Sequence, residues 1–127
     1  MPKGRPRVTR YGTYTPPKTK EYEKRIQTAW RTIDEAPFPQ NTPISVTVVA
    51  YFSIPKSVSN KKRREMHLTP HVKHRADADN IAKAVMDALN GLAYADDCAV
   101  YSVAVSKRNV DGASMTVVTL SGEEAAE

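Results

Sequence analysis

The segment from Asp77 to Asp97 limits the fold more than any other part of the chain, and it holds five of the 14 acidic residues. Wound at about 100° per residue, residues 79–92 place Ile81, Ala82, Ala84, Val85, Ala88, Leu89 and Leu92 on one broad arc. Asp79, Asn80, Lys83, Asp87 and Asn90 share the narrow remainder. Such a helix buries most of its girth, so it needs a large apolar partner. Gly91 is a stop signal, and Asp96-Asp97 follow a few residues later. One carboxylate pair therefore opens the helix and another lies past its end. They meet only if the chain folds back.

The flanking segments supply the partner. Tyr22, Ile26, Ala29, Trp30 and Ile33 fall on one stripe of a helix over 19–34, bounded by Pro16-Pro17 and by Pro37 and Pro39. On such a regular stripe Trp30 reads as core. From Ile44 to Ile54 the pattern alternates, with Ile44, Val46, Val48, Ala50, Phe52 and Ile54 on one face of a strand ended by Pro55. Residues 99–107 and 114–120 read as two further strands joined by a hairpin turn at Asn109-Val110-Asp111-Gly112. Strand–helix–strand over 44–107 implies a parallel, right-handed crossover, with the last strand antiparallel. The expectation is an α/β fold, a small two-layer domain whose mixed β-sheet carries its helices on one face. Residues 1–127 form a single domain, too short for two cores.

Charge is divided along the chain. Residues 1–75 carry 16 Lys/Arg against 5 Asp/Glu, and residues 76–127 carry 3 against 9. A basic half joined to an acidic cluster fits a polyanion on one surface and a cation in the other, which favours nucleic acid. Residues 1–20, with Lys3, Arg5, Arg7 and Arg10 among their bases and no acid, form a basic arm. It is either a disordered tail or an extended segment or hairpin along a phosphate backbone. Residues 56–75 form a basic loop with neither period, containing Lys61, Lys62, Arg63, Arg64, Lys73 and Arg75. Its three histidines fit phosphate contacts or solvated loop better than a metal site, because lysines among them repel a cation. Residues 121–127 read as an acidic, frayed tail. The one cysteine, Cys98, excludes an internal disulfide. No apolar run reaches membrane-spanning length and no signal peptide is legible, so a cytoplasmic protein with no membrane association is expected.

Asp77 and Asp79 have two readings. As caps they would stabilise the helix start and its dipole. As ligands they would share a cation with Asp97, or Asp96, since crowded carboxylates repel unless a cation joins them. Carboxylate oxygens with water and phosphate suit Mg²⁺, and the corresponding reaction is phosphodiester hydrolysis. Lys83, four residues beyond Asp79, either pairs with it or touches the scissile phosphate. Asp87 reads as a structural partner of Lys83, and Asn80 fits either role.

Asp77-x-Asp79-Asn80-x-x-Lys83-x-x-x-Asp87-Ala88-Leu89-Asn90-Gly91, followed by Asp96-Asp97 and a valine-rich strand, resembles the RusA-type Holliday-junction resolvases, often encoded by phages and prophages. The Lys3-Gly4-Arg5-Pro6-Arg7 opening and the basic loop are similar to that family too. The resemblance implies a homodimeric, Mg²⁺-dependent endonuclease of the bacterial cytoplasm, with Mn²⁺ able to substitute and no small-molecule cofactor. It would nick four-way DNA junctions symmetrically in recombination and repair. Asp77, Asp79 and Asp97 match the metal-binding carboxylates and Lys83 the catalytic lysine. Relatives of this kind begin with a short apolar strand that is not legible here, so an incomplete sheet is expected. A junction's two-fold symmetry independently asks for a C₂ dimer. Two other readings stand beside this one. They are a non-catalytic basic DNA-binding protein, and a nuclease for flaps, forks or other branched DNA.

Overall fold

The structure, a computed structural model, describes residues 6–12, 19–33, 36–72 and 77–123. In chain order the elements are β1 (Pro6–Gly12), α1 (Thr19–Thr32), β2 (Ile44–Ser53), α2 (Asn60–Met66), α3 (Ala78–Leu89), β3 (Val100–Val110) and β4 (Met115–Gly122). A short 3₁₀ turn, Asp97–Ala99, leads into β3. The four strands form one mixed sheet ordered β1-β4-β2-β3, with β2 parallel to β3 and β4 antiparallel to both β1 and β2. This is the expected small α/β domain.

Alternation places Ile44, Val46, Val48 and Ala50 of β2 on one buried face, joined by Val118 and Leu120 of β4. Over it lie Tyr22, Ile26 and Trp30 of α1 and Ile81, Ala84, Val85, Ala88 and Leu89 of α3. Both helices thus cover the same face of the sheet, α1 reaching β1 and α3 reaching β3. Thr116 is the buried polar residue among those described, and the Tyr22 hydroxyl meets its Oγ1 at 3.1 Å. Trp30 is 3% exposed, a core residue as its spacing implied.

The structure departs from the sequence expectations in four places. The predicted β3–β4 hairpin does not form: β4 crosses to the far side of β2, where its inward residues lie under Tyr22 of α1. The edge β4 would have used is taken over its C-terminal half by residues 68–71, through bonds such as His71 N to the Lys107 carbonyl and Leu68 N to the Asn109 carbonyl. Of the two readings of the basic arm, residues 6–12 take the extended one, but as a strand paired with β4 from Met115 to Ser121, so the sheet expected to be incomplete gains its edge strand. The basic loop contains α2, which buries no side chain and so carries no apolar period to announce it. Ser59 caps it by accepting from Lys62 N, at 3.2 Å. Finally, the predicted tail is ordered as far as Glu123, whose amide bonds the Pro43 carbonyl; residues 124–127 lie outside the described residues.

Gly122 ends β4 where Phe38 crosses it. A Cβ there would stand 2.6 Å from Phe38 Cδ1 and 3.0 Å from Thr42 Cγ2. Phe38 is itself pinned by its amide to the Ala93 carbonyl, at 2.8 Å. Gly122→Ala should therefore cost about 1–3 kcal/mol through overpacking, read as a lower Tm; an unchanged Tm would show that the ring yields freely.

Candidate functional site

Asp77 is the N-cap of α3, yet its side chain makes no cap hydrogen bond. The capping reading therefore leaves its carboxylate unspent, exposed at the positive end of the helix dipole. Asp79, in the first turn, is exposed and accepts locally from Asn80 N at 3.0 Å. Lys83 is exposed one turn on and, among the described residues, pairs with neither Asp79 nor Asp87. The polar strip is thus available to a ligand along its N-terminal half.

The other end of α3 holds Asp97. Asn90 caps the helix and Gly91 follows at φ +77°, the left-handed turn that glycine makes without strain. The chain then returns, so that the Asn90 Oδ1 accepts from Asp97 N at 3.1 Å. The Tyr94 hydroxyl lies 3.0 Å from Asp97 Oδ1 and 3.3 Å from the Met86 carbonyl. Burial, and then the charge of Asp97, push the Tyr94 phenol well above its usual range, so it stays a proton donor. Asp97 itself is raised, first by burial and then by the charges of Asp87 and Asp96, with the Tyr94 hydrogen bond pulling the other way. Asp96 caps the 3₁₀ turn by accepting from Cys98 N at 3.2 Å.

The Asp97 carboxylate therefore sits beside the Met86–Asp87 turn of α3, and Asp79 lies eight residues earlier, about 12 Å along the axis at 1.5 Å per residue. Among the described residues no three His, Cys, Asp or Glu side chains come together as a metal-ligand group. The expected convergence of Asp77, Asp79 and Asp97 is not made within one chain. Hard oxygen donors at either end have the chemistry Mg²⁺ requires, but each end is only part of a ligand set.

The predicted DNA contacts divide as well. Lys61, Lys62 and Arg64 project from α2 into solvent. Arg63 faces inward: its guanidinium bonds the carbonyls of Ile54 and Pro55, at 3.3 and 2.8 Å, and pairs with Asp111 at 3.3 Å. It bolts α2 to the sheet. His67 Nδ1 accepts from Asp111 N at 3.0 Å, and His71 stacks on Phe52 with centroids 4.2 Å apart. These two histidines anchor the loop. Arg7 and Arg10 lie on β1, while Lys3, Arg5, Lys73 and Arg75 lie outside the described residues.

Sequence reasoning did not find Tyr94 and Asn90 as holders of Asp97. Their signal is the spacing around Gly91, which turns Asn90, Tyr94 and Asp97 toward one another. A carboxyl raised in the folded state favours the fold at low pH, and that contribution is lost as pH rises from the unfolded carboxylate range through the folded value. In chelator, Asp97→Asn should therefore raise Tm at pH 7, with the gain shrinking as the pH falls below the carboxylate range. A lower Tm at pH 7 would mean that the ionised carboxylate is a net stabiliser.

The family model for endodeoxyribonuclease RusA matches residues 1–120. An uncharacterized protein of Bacillus subtilis (strain 168), YqaN, is 44% identical over 70 residues, which is 51% of this chain and 48% of YqaN. The match thus spans about half the length of that curated relative. With its Asp-x-Asp-Asn-x-x-Lys helix start, its Asp96-Asp97 pair and a family match over nearly its whole length, the chain belongs to the RusA endodeoxyribonuclease family.

Proposed function

We propose that the protein is a divalent-metal-dependent endonuclease that resolves four-way DNA junctions, working as a homodimer in the cytoplasm. The observation that carries this reading is the split of the carboxylates. Asp77 is unspent at one end of α3, and Asp97 is held by Tyr94 and Asn90 at the other. Two copies whose α3 helices lie side by side and antiparallel would set Asp77 and Asp79 of one against Asp97 of the other. Each dimer would then hold two equivalent sites, as two symmetric nicks require.

A bound Mg²⁺ would supply an activated water and neutralise charge on the scissile phosphate. Asp77, Asp79 and Asp97 would hold it. Tyr94 would fix the Asp97 carboxylate, so that little reorganisation is needed on binding. Lys83, one turn from Asp79 and paired with no acid among the described residues, would reach the phosphate oxygens. The exposed bases of α2, with the basic residues of the N-terminal segment, would track the backbone without reading sequence.

Incubation with a synthetic four-way junction, a flap and a linear duplex, each with and without Mg²⁺, tests the reading. Paired nicks in the junction alone, only with metal, are expected. Preferential flap cutting would change the substrate class, and metal-indifferent binding without cutting would leave a DNA-coating protein. Asp79→Asn should abolish cutting while sparing junction binding, and Lys83→Ala should slow it by about 10²–10³-fold. Wild-type rates in either variant would remove that residue from the site. Replacing Lys61, Lys62 and Arg64 together by Ala should weaken junction binding and lower the salt slope by about 2–3, without lowering Tm. Arg63→Ala should lower Tm instead.

A further inference from the structure

A cleft of about 490 Å³ opens where β2 and β3 begin, with Gln40, Asn41, Asp96, Cys98 and Tyr101 in its lining. Its volume lies in the range of small-ligand sites, about 300–1,000 Å³. The turn before β2 is closed by Thr42 N to the Pro39 carbonyl at 3.2 Å and holds Asn41 at φ +68°, so Gln40 and Asn41 stand exposed. Neither amide has a side-chain partner among the described residues. The β2–β3 pairing shifts where Ile44 faces Val100 and Ser45 faces Ser102, which leaves Tyr101 as the extra residue of a bulge. A bulge re-aims the side chain it carries. The Tyr101 ring is 59% exposed, and its hydroxyl donates to Glu123 Oε2 at 2.7 Å. Asp96 adds a carboxylate, one oxygen of which accepts from Cys98 N at 3.2 Å while the other is uncommitted among the described residues.

We propose that this cleft receives one unstacked base of the branched DNA substrate, with its face on Tyr101 and its polar edge on Gln40, Asn41 and Asp96. Among the described residues no lysine or arginine lines the cleft, and Asp96 would repel a phosphate, so the DNA backbone is not its occupant. A base is planar and neutral. Its face stacks on an aromatic ring, and its edge carries hydrogen-bond donors and acceptors. A phenol fixed at its hydroxyl offers such a face already in place. Two amides and a carboxylate oxygen offer donors and acceptors to the edge. Bases at a branch point are the ones that leave the stack at least cost.

The proposal deepens the nuclease reading above and rests on it for the identity of the occupant. Asp96 lines the cleft, while its neighbour Asp97 turns its carboxylate to Tyr94. The cleft therefore adjoins the place where the scissile phosphate would be held. A base seated in it would fix which phosphate reaches the metal. A base stacked within a continuous duplex cannot fill it, so the same cleft would favour a branch over linear DNA.

The test is a double-mutant cycle on junction binding by the full chain, measured without Mg²⁺ so that no strand is cut. Four-way junctions carrying one abasic nucleotide, moved stepwise through the branch point, are titrated against the wild type, Tyr101→Leu and Tyr101→Phe. At one position, loss of the base should weaken wild-type binding about tenfold, and Tyr101→Leu should weaken binding of the intact junction by a similar factor. The two changes together should weaken it no further than either alone. Tyr101→Phe keeps the ring and should bind as the wild type does. Cys98, the one cysteine of the chain, gives an independent readout. The intact junction should protect it from N-ethylmaleimide, and the junction abasic at that position should not. If Tyr101→Leu fails to fold by circular dichroism, the alkylation decides. Additive losses, the lack of any sensitive position, or equal protection by both junctions overturns the proposal. Junction cutting with Mg²⁺ in that event would leave the nuclease reading intact, whereas coupling without any cutting would sink that reading and leave the base site standing.

Discussion

The burial of one face of α3 governs the rest of the molecule. Ile81, Ala84, Val85, Ala88 and Leu89 hold the helix in the core, against α1 and β3. Ile81, Val85 and Leu89 each contribute about 1.5–3 kcal/mol on leaving water, and the fixed rise of the helix keeps its ends apart. The same packing that makes α3 a rigid platform keeps Asp77 and Asp79 apart from Asp97. A rigid platform suits the proposed site, whose ligands would be held in place before a cation arrives.

The sheet repeats this division of labour. β2 is central, paired with β3 on one side and β4 on the other, and takes most of the buried face. The edges are treated unequally. β1 closes one side of the sheet, and residues 68–71 close half of the other. Arg63, His67 and His71 hold that covering segment in place, so basic and aromatic residues of the loop serve the fold while Lys61, Lys62 and Arg64 face solvent. The stretch from Lys61 to His71 thus combines solvent-facing bases with anchors for an edge strand.

Much of this was legible in the sequence wherever burial imposes a period. α1, α3 and β2 each announce themselves through apolar spacing, and their inward residues match the core. α2 was not legible because it buries nothing; its evidence is a serine cap and one inward arginine. β1 was hidden by prolines and bases, which an edge strand tolerates. The β3–β4 hairpin was misread because the turn residues at 109–112 fix a local reversal without fixing which strand β4 then joins. At the candidate site, the residue types and the exposed strip of Asp79 and Lys83 could be read from spacing, but not their distance from Asp97. That distance is the length of the helix between them, and the expectation treated it as a fold-back.

The most direct test mixes two inactive chains. Asp79→Asn and Asp97→Asn are each expected to be inactive alone. If every site draws Asp79 from one chain and Asp97 from the other, subunit exchange gives mixed dimers with one intact site and one doubly damaged site. The mixture should then nick a four-way junction on one strand in the presence of Mg²⁺. Continued inactivity, with mixed dimers shown to form, would mean that each site lies within a single chain, and the account built on the two ends of α3 would be wrong.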